Sequence, residues 1–103
     1  MRVLVKEAGK DAEVREIDSS LESMQSIVGG YIEDVYIGLG VHLVCNEEGK
    51  IQGLPTNLET DYDEIVGNIF FCATDECDYC GLTDEQIEHA KDWCTLYDVG
   101  SEE

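Results

Sequence analysis

The chain has 103 residues, 43% of them hydrophobic, enough for one modest core but not for two, and too apolar for a disordered polyelectrolyte. Twenty-four acidic residues stand against six basic ones, a formal net charge of −18. A field of that sign repels nucleic acid and anionic membrane, so direct DNA binding is disfavoured and a partner with a basic cleft is the electrostatic complement.

The charge is uneven. Residues 1 to 58 hold ten acids and five bases, whereas residues 59 to 103 hold fourteen acids and one base, Lys91. The opening "MRVLVKEAGK" has no hydrophobic stretch of signal-peptide length, and no apolar run approaches a membrane span. Five cysteines, an odd number without a secretory signal, argue against a disulfide framework. The expectation is a single domain over 1–103, cytoplasmic, with reduced thiols.

"RVLVKE" and "AEVREID" are β-like runs around the turn-rich "AGKD", a hairpin pattern. In "SSLESMQSIVGG", Ser19 and Glu22 have capping-box spacing, and Leu21, Met24, Ile27 and Val28 recur on one helical face. Gly29 and Gly30 end that helix. In "YIEDVYIG", Tyr31, Glu33, Val35 and Ile37 alternate with Ile32, Asp34 and Tyr36, as a strand requires. "VHLVCNEEGKIQGL" reads as two strands around the "NEEGK" turn, and "PTNLETDYDE", with the only proline and no period, as a loop. "IVGNIFFCA" is the most apolar run and reads as a central strand, with Gly67 at a bulge or close approach.

The last element is a helix. Thr83 and Gln86 have capping-box spacing, Ile87, Ala90, Cys94 and Tyr97 make an apolar stripe with Trp93 beside it, and Asp84, Glu88 and Asp92 form an outer row widened by Glu85. The tail "GSEE" is expected to fray. Together these elements predict an α+β domain: a small, mostly antiparallel sheet of about five or six strands, with two helices on one face.

Cys72, Cys77 and Cys80 form C-x4-C-x2-C, and Cys94 or His89 would be the fourth ligand of a thiolate zinc site. A second knuckle is missing, so scattered core and loop cysteines are the plainer reading, and no cofactor is expected beyond this weak zinc candidate. "CDYC" lacks the following helix N-terminus of a thioredoxin-like pair, since the helix starts at Thr83. "DYDEIVG" offers Asp61 and Asp63 to calcium, but Ile65 occupies the next ligand slot. His42 and Cys45, three apart in a strand, point to opposite faces and make no nucleophile–base pair. No enzymatic activity is expected.

The acid remains. Like charges at 84, 88 and 92 weaken a helix by roughly 0.2–0.5 kcal/mol per i,i+4 pair, and Lys91 alone relieves them. With Glu59, Asp61, Asp63 and Glu64 before the strand, and Asp75, Glu76 and Asp78 after it, the pattern is a line of phosphate-like charges, or else a surface that only confers solubility.

The segments "RVLVKEAGKDAEVREIDSSLESMQSIVGGYIEDVY", "VCNEEGKIQGLPTN" and "EIVGNIFF" resemble a domain-of-unknown-function family, number 3846, over roughly residues 2–72. The specific pieces are Gly29-Gly30-Tyr31-Ile32-Glu33, the Asn46 to Gly49 turn, and Gly53-Leu54-Pro55 with Asn57. Members often follow that asparagine with arginine; here it is Leu58, so no role of that arginine carries over. The resemblance supplies no activity, but it implies a setting among small accessory proteins of bacteria, phages and mobile elements.

Charge and setting together predict a non-enzymatic protein that inhibits a nucleic-acid-binding host defence protein, a CRISPR effector or restriction nuclease, by DNA mimicry. The eleven carboxylates named above, from Glu59 to Asp92, would be its contacts. The alternatives are a nucleotide or small-molecule module using Arg2, Lys6, Lys10, Arg15 and Lys50, and a zinc-stapled adaptor. Monomer and homodimer both stay open.

Overall fold

The computed structural model describes residues 1–61, 63–76 and 78–98. Strands β1 (Arg2–Lys6) and β2 (Glu13–Glu16) form the expected hairpin, with Leu4 opposite Val14. A second antiparallel hairpin joins β3 (Ile32–Tyr36) to β4 (Val41–Asn46). Between the two hairpins lies β7 (Ile69–Asp75), antiparallel to both β1 and β4. β8 (Asp78–Cys80) turns back on the end of β7, on the flank that β1 occupies further along. The sheet order is β2-β1-β7-β4-β3, and every pairing in it is antiparallel.

The two long helices lie on opposite faces of this sheet rather than on one. α1 (Leu21–Val28) sets Met24 and Val28 against Val3, Val5, Val44, Phe70 and Cys72. On the other face α3 (Asp84–Tyr97) sets Ile87, Ala90 and Cys94 against Leu4, Leu43, Phe71 and Ala73. The reason is in the strands: β1, β4 and β7 carry apolar side chains at odd and even positions alike, so both faces must be covered. Leu21, expected on the apolar face of α1, is exposed at its first position.

Local differences follow from short-range contacts. The N-cap of α1 is Ser20, not Ser19: its Oγ accepts from Ser23 N at 3.1 Å, while Asp18 Oδ1 accepts from Ser20 N. The segment expected as a strand after "NEEGK" is a helical turn, α2 (Gly49–Gln52). Asn46 sets it up, accepting from Glu48 N at 2.8 Å through Oδ1 and donating to Val28 O through Nδ2. The expected loop over 55–64 contains β5 (Thr56–Glu59), paired with β6 (Glu64–Val66) in a separate two-stranded sheet that covers the α3 face. Gly67, at φ +79, splits the apolar run 65–73 into β6 and β7; a Cβ there would stand 2.7 Å from Leu54 Cδ1. The capping box Thr83–Gln86 of α3 forms as expected.

Beneath β5 lies a buried polar knot. Asn57, fully buried, donates through Nδ2 to Lys6 O at 2.8 Å and Gly67 O at 2.7 Å, and accepts from Lys6 Nζ at 3.0 Å. Lys6 Nζ also faces Asp98 Oδ1 at 3.4 Å, beyond the last turn of α3. The knot ties the first strand to the second sheet and to the final helix.

Candidate functional site

All eleven acidic side chains singled out from the sequence are exposed. Glu59, Asp61, Asp63 and Glu64 belong to the β5–β6 hairpin, Asp75, Glu76 and Asp78 to the β7–β8 turn, and Asp84, Glu85, Glu88 and Asp92 to α3. The helix connects the other two groups. Its first turn reaches the end of the sheet where β1 begins and β7 ends, through Arg2–Asp84 at 2.8 Å and Gln86 Nε2 to Leu39 O at 3.0 Å. Its last turn meets β5, through the bridge between Asp98 and Leu58.

Some of these carboxylates are already engaged. Lys50 pairs with Asp63 and holds its carboxyl below the ordinary value, helped by the Glu64 backbone N–H. Arg2 pairs with Asp84, and Thr56 Oγ1 donates to Glu64 Oε2 at 2.8 Å. Glu88 and Asp92 project from the exposed side of α3.

The bases named for a nucleotide module are dispersed, and each faces a carboxylate. Arg2 meets Asp84, Lys6 meets Asp98, Lys10 and Arg15 converge on Glu7, and Lys50 meets Asp63. Hydrogen bonds from Arg15 and Lys10 lower the Glu7 pKa. Lys50 stands beside a cleft of about 270 Å³ between β3, β4 and the β5–β6 hairpin, but Glu33, Glu47, Asp63 and Glu64 share its lining.

The cysteines divide between the two faces of the sheet. Cys72 is buried with the α1 cluster, while Cys80 and Cys94 belong to the α3 cluster. Cys77 and the tail from 99 to 103 lie outside the described residues. Burial pushes the thiols of Cys45 and Cys94 up to about 11 and that of Cys72 to about 12. Among the described residues no three His, Cys, Asp or Glu side chains gather around a point that could hold a metal ion. Of the "CDYC" segment, Asp78–Cys80 runs as β8, and no helix begins behind it before the N-cap Thr83.

One grouping was missed from the sequence. His42 stands beside Asp34, with Nδ1 2.7 Å from Asp34 Oδ1, and its Nε2 lies 3.4 Å from Thr74 Oγ1. Tyr79 O–H donates to Asp34 Oδ2 at 3.0 Å, and burial followed by that carboxylate raises its pKa to about 12. The ring of Tyr36 lies 5.1 Å from that of His42. These residues come from β3, β4, β7 and β8 and share one face because each is in phase across the register, Tyr36 opposite His42 and His42 opposite Cys72. The same phase rule places Cys45 on the other face, as expected from the spacing of His42 and Cys45.

No helix among the described residues is long and apolar enough to cross a membrane. No curated protein matches the chain, and no solved structure does. The model of one family, described as a domain of unknown function, matches residues 1–95 and so reaches past the cysteine-rich segment and through most of α3. The glycines and asparagines that carry the likeness are scaffold: Gly29 caps α1, Gly30 abuts Asn46, and Asn57 is the centre of the buried knot. On that match, and with its specific residues at these structural joints, the chain belongs to the DUF3846 family.

Proposed function

We propose that this protein binds and inhibits a nucleic-acid-binding protein, without catalysing a reaction of its own, by presenting carboxylates where the partner receives phosphates. A defence nuclease met by phages and mobile elements in the bacterial cytoplasm, such as a CRISPR effector or a restriction enzyme, is the class of target. The observation that carries this reading is the exposed acid along α3 and the two turns at its ends, while five of the six bases are spent on internal pairs. A groove built to neutralise phosphates with Lys and Arg is complementary to such a surface, and steering by that field falls steeply with salt.

The test is capture of purified nucleases on the immobilised protein, over a salt series and with competing duplex DNA. Capture at low salt, release by salt and displacement by DNA are expected. The double variant Glu88→Gln, Asp92→Asn should bind more weakly and with a shallower salt dependence. Capture that DNA does not displace would move the contact away from the nucleic-acid groove and sink the mimicry.

A further inference from the structure

Two residues other than glycine have positive φ among the described residues, Leu39 at 56° and Glu76 at 54°. Both lie at one end of the sheet. Val41 pairs with Ala73, so the β3–β4 turn and the β7–β8 turn leave the sheet side by side. Leu39 stands between Gly38 and Gly40, themselves at φ 97° and 76°, and its side chain is 59% exposed. A left-handed leucine costs free energy that glycine or asparagine at the same place would not, because its Cβ crowds the backbone. An apolar side chain mostly facing water returns little of that cost within the chain.

The turn is nevertheless held from three sides. Tyr36 O–H accepts from Gly40 N at 3.0 Å, Gln86 Nε2 donates to Leu39 O at 3.0 Å, and His89 Nε2 donates to Ile37 O at 2.9 Å. Both α3 side chains come from the helix that carries the acidic row. Tyr36, 61% exposed, reaches the residue after the leucine through its hydroxyl, and Asp75, Glu76, Asp78, Asp84 and Glu85 occupy the neighbouring turn and the start of α3. Strain kept in a rigid, exposed position is the pattern of a binding element, because the scaffold fixes a conformation that its own packing does not reward. An apolar centre with a charged rim is also how interface anchors are built.

We propose that this end of the sheet is a docking knob: Leu39, with Tyr36 beside it, enters an apolar pocket on a partner protein whose rim carries lysine or arginine. The basic rim follows from the surrounding carboxylates. A second copy of the chain does not fit, since it would bring the same −18 to the contact. The inference extends the reading above only in taking the partner's surface to be basic; it adds an apolar anchor that nucleic acid cannot reproduce.

The probe is a displayed library of folded, randomised peptides, selected on the wild-type protein and counter-selected on Leu39→Asn. Asparagine tolerates the left-handed conformation, so this variant and Leu39→Gly should melt no lower than wild type, which separates lost binding from lost structure. Enriched peptides are expected to carry an apolar residue flanked by Lys or Arg, and to bind both variants at least tenfold more weakly. A smaller loss, enrichment without that pattern, or no peptide that prefers wild type overturns the proposal. The two readings fail separately: a nuclease displaced by DNA but indifferent to Leu39→Asn removes the knob alone, and one released by Leu39→Asn but not by DNA removes mimicry alone.

Discussion

Asn57 offers the sharpest test of how the fold is held. Replacing it with alanine strips two buried carbonyls, Lys6 O and Gly67 O, of their donor and takes one acceptor from the Lys6 ammonium. Each buried polar group left unsatisfied costs about 1–3 kcal/mol, and water entering the small gap recovers part of that. The expected loss is therefore about 3–5 kcal/mol, the size found when one partner is removed from a buried ion pair. Since a domain of this size is stable by roughly 5–15 kcal/mol, the variant should remain folded in water but unfold at a much lower urea concentration. Urea titration followed by the fluorescence of Trp93, half-buried against Tyr97 at 4.8 Å, reads the change. A loss below about 1 kcal/mol with an unchanged m-value would refute the reasoning, because the knot would then be no better than solvated.

Glu7 gives a pH test. Its pKa is depressed in the folded state by Arg15 and Lys10, so its contribution is fully present above its unfolded value of 4.5 and lost as pH falls through the lower folded value. The melting temperature of wild type should exceed that of Glu7→Gln at neutral pH, and the gap should close as pH falls below 4.5 through the lowered folded value. The buried thiols of Cys45, Cys72 and Cys94, all with raised pKa values, should resist alkylation at pH 8 until the protein unfolds, as read by mass spectrometry; rapid native labelling of Cys72 would contradict its burial. Gly81→Ala would bring a Cβ to 2.9 Å from the Arg2 backbone nitrogen, where Leu82 N donates to Arg2 O, and should cost about 1–3 kcal/mol in the same urea assay. No change would mean that β8 and β1 can separate freely.

Local signals were legible and distant ones were not. The Thr83–Gln86 box, the glycine stop after Val28 and the alternation of β3 are spelled by neighbours, and the structure has them. α2 was missed because four residues are too few to display a helical period, and it begins on glycine, a poor helix former. The β5–β6 hairpin hid among acids, which serve turns and solvated edges equally well. Of the candidate site, the exposed acids could be named from composition and spacing. Their connection through α3 depends on Arg2 meeting Asp84 and Leu58 meeting Asp98, contacts that no window along the chain contains. The grouping of His42 with Asp34, Thr74 and Tyr79 needs the register of four strands, and the Lys6–Asn57–Asp98 knot joins three remote segments. Sequence could flag only the raw signal there, a lysine directly after the apolar run Val3–Val5.

The place of β7 at the centre of the sheet bears on how the chain comes to be folded. The hairpins β1–β2 and β3–β4 are complete by residue 46, yet in the sheet they are joined only through a strand that begins at Ile69. A chain emerging from the ribosome must therefore hold two half-sheets apart, with their inner edges unpaired, for more than twenty residues of further synthesis. High contact order of this kind belongs to folding in milliseconds to seconds rather than microseconds. Over that interval the chain carries only the lighter share of its charge, ten acids against five bases in residues 1 to 58, and the dense repulsion that discourages edge-to-edge aggregation arrives with the segment from 59 onward.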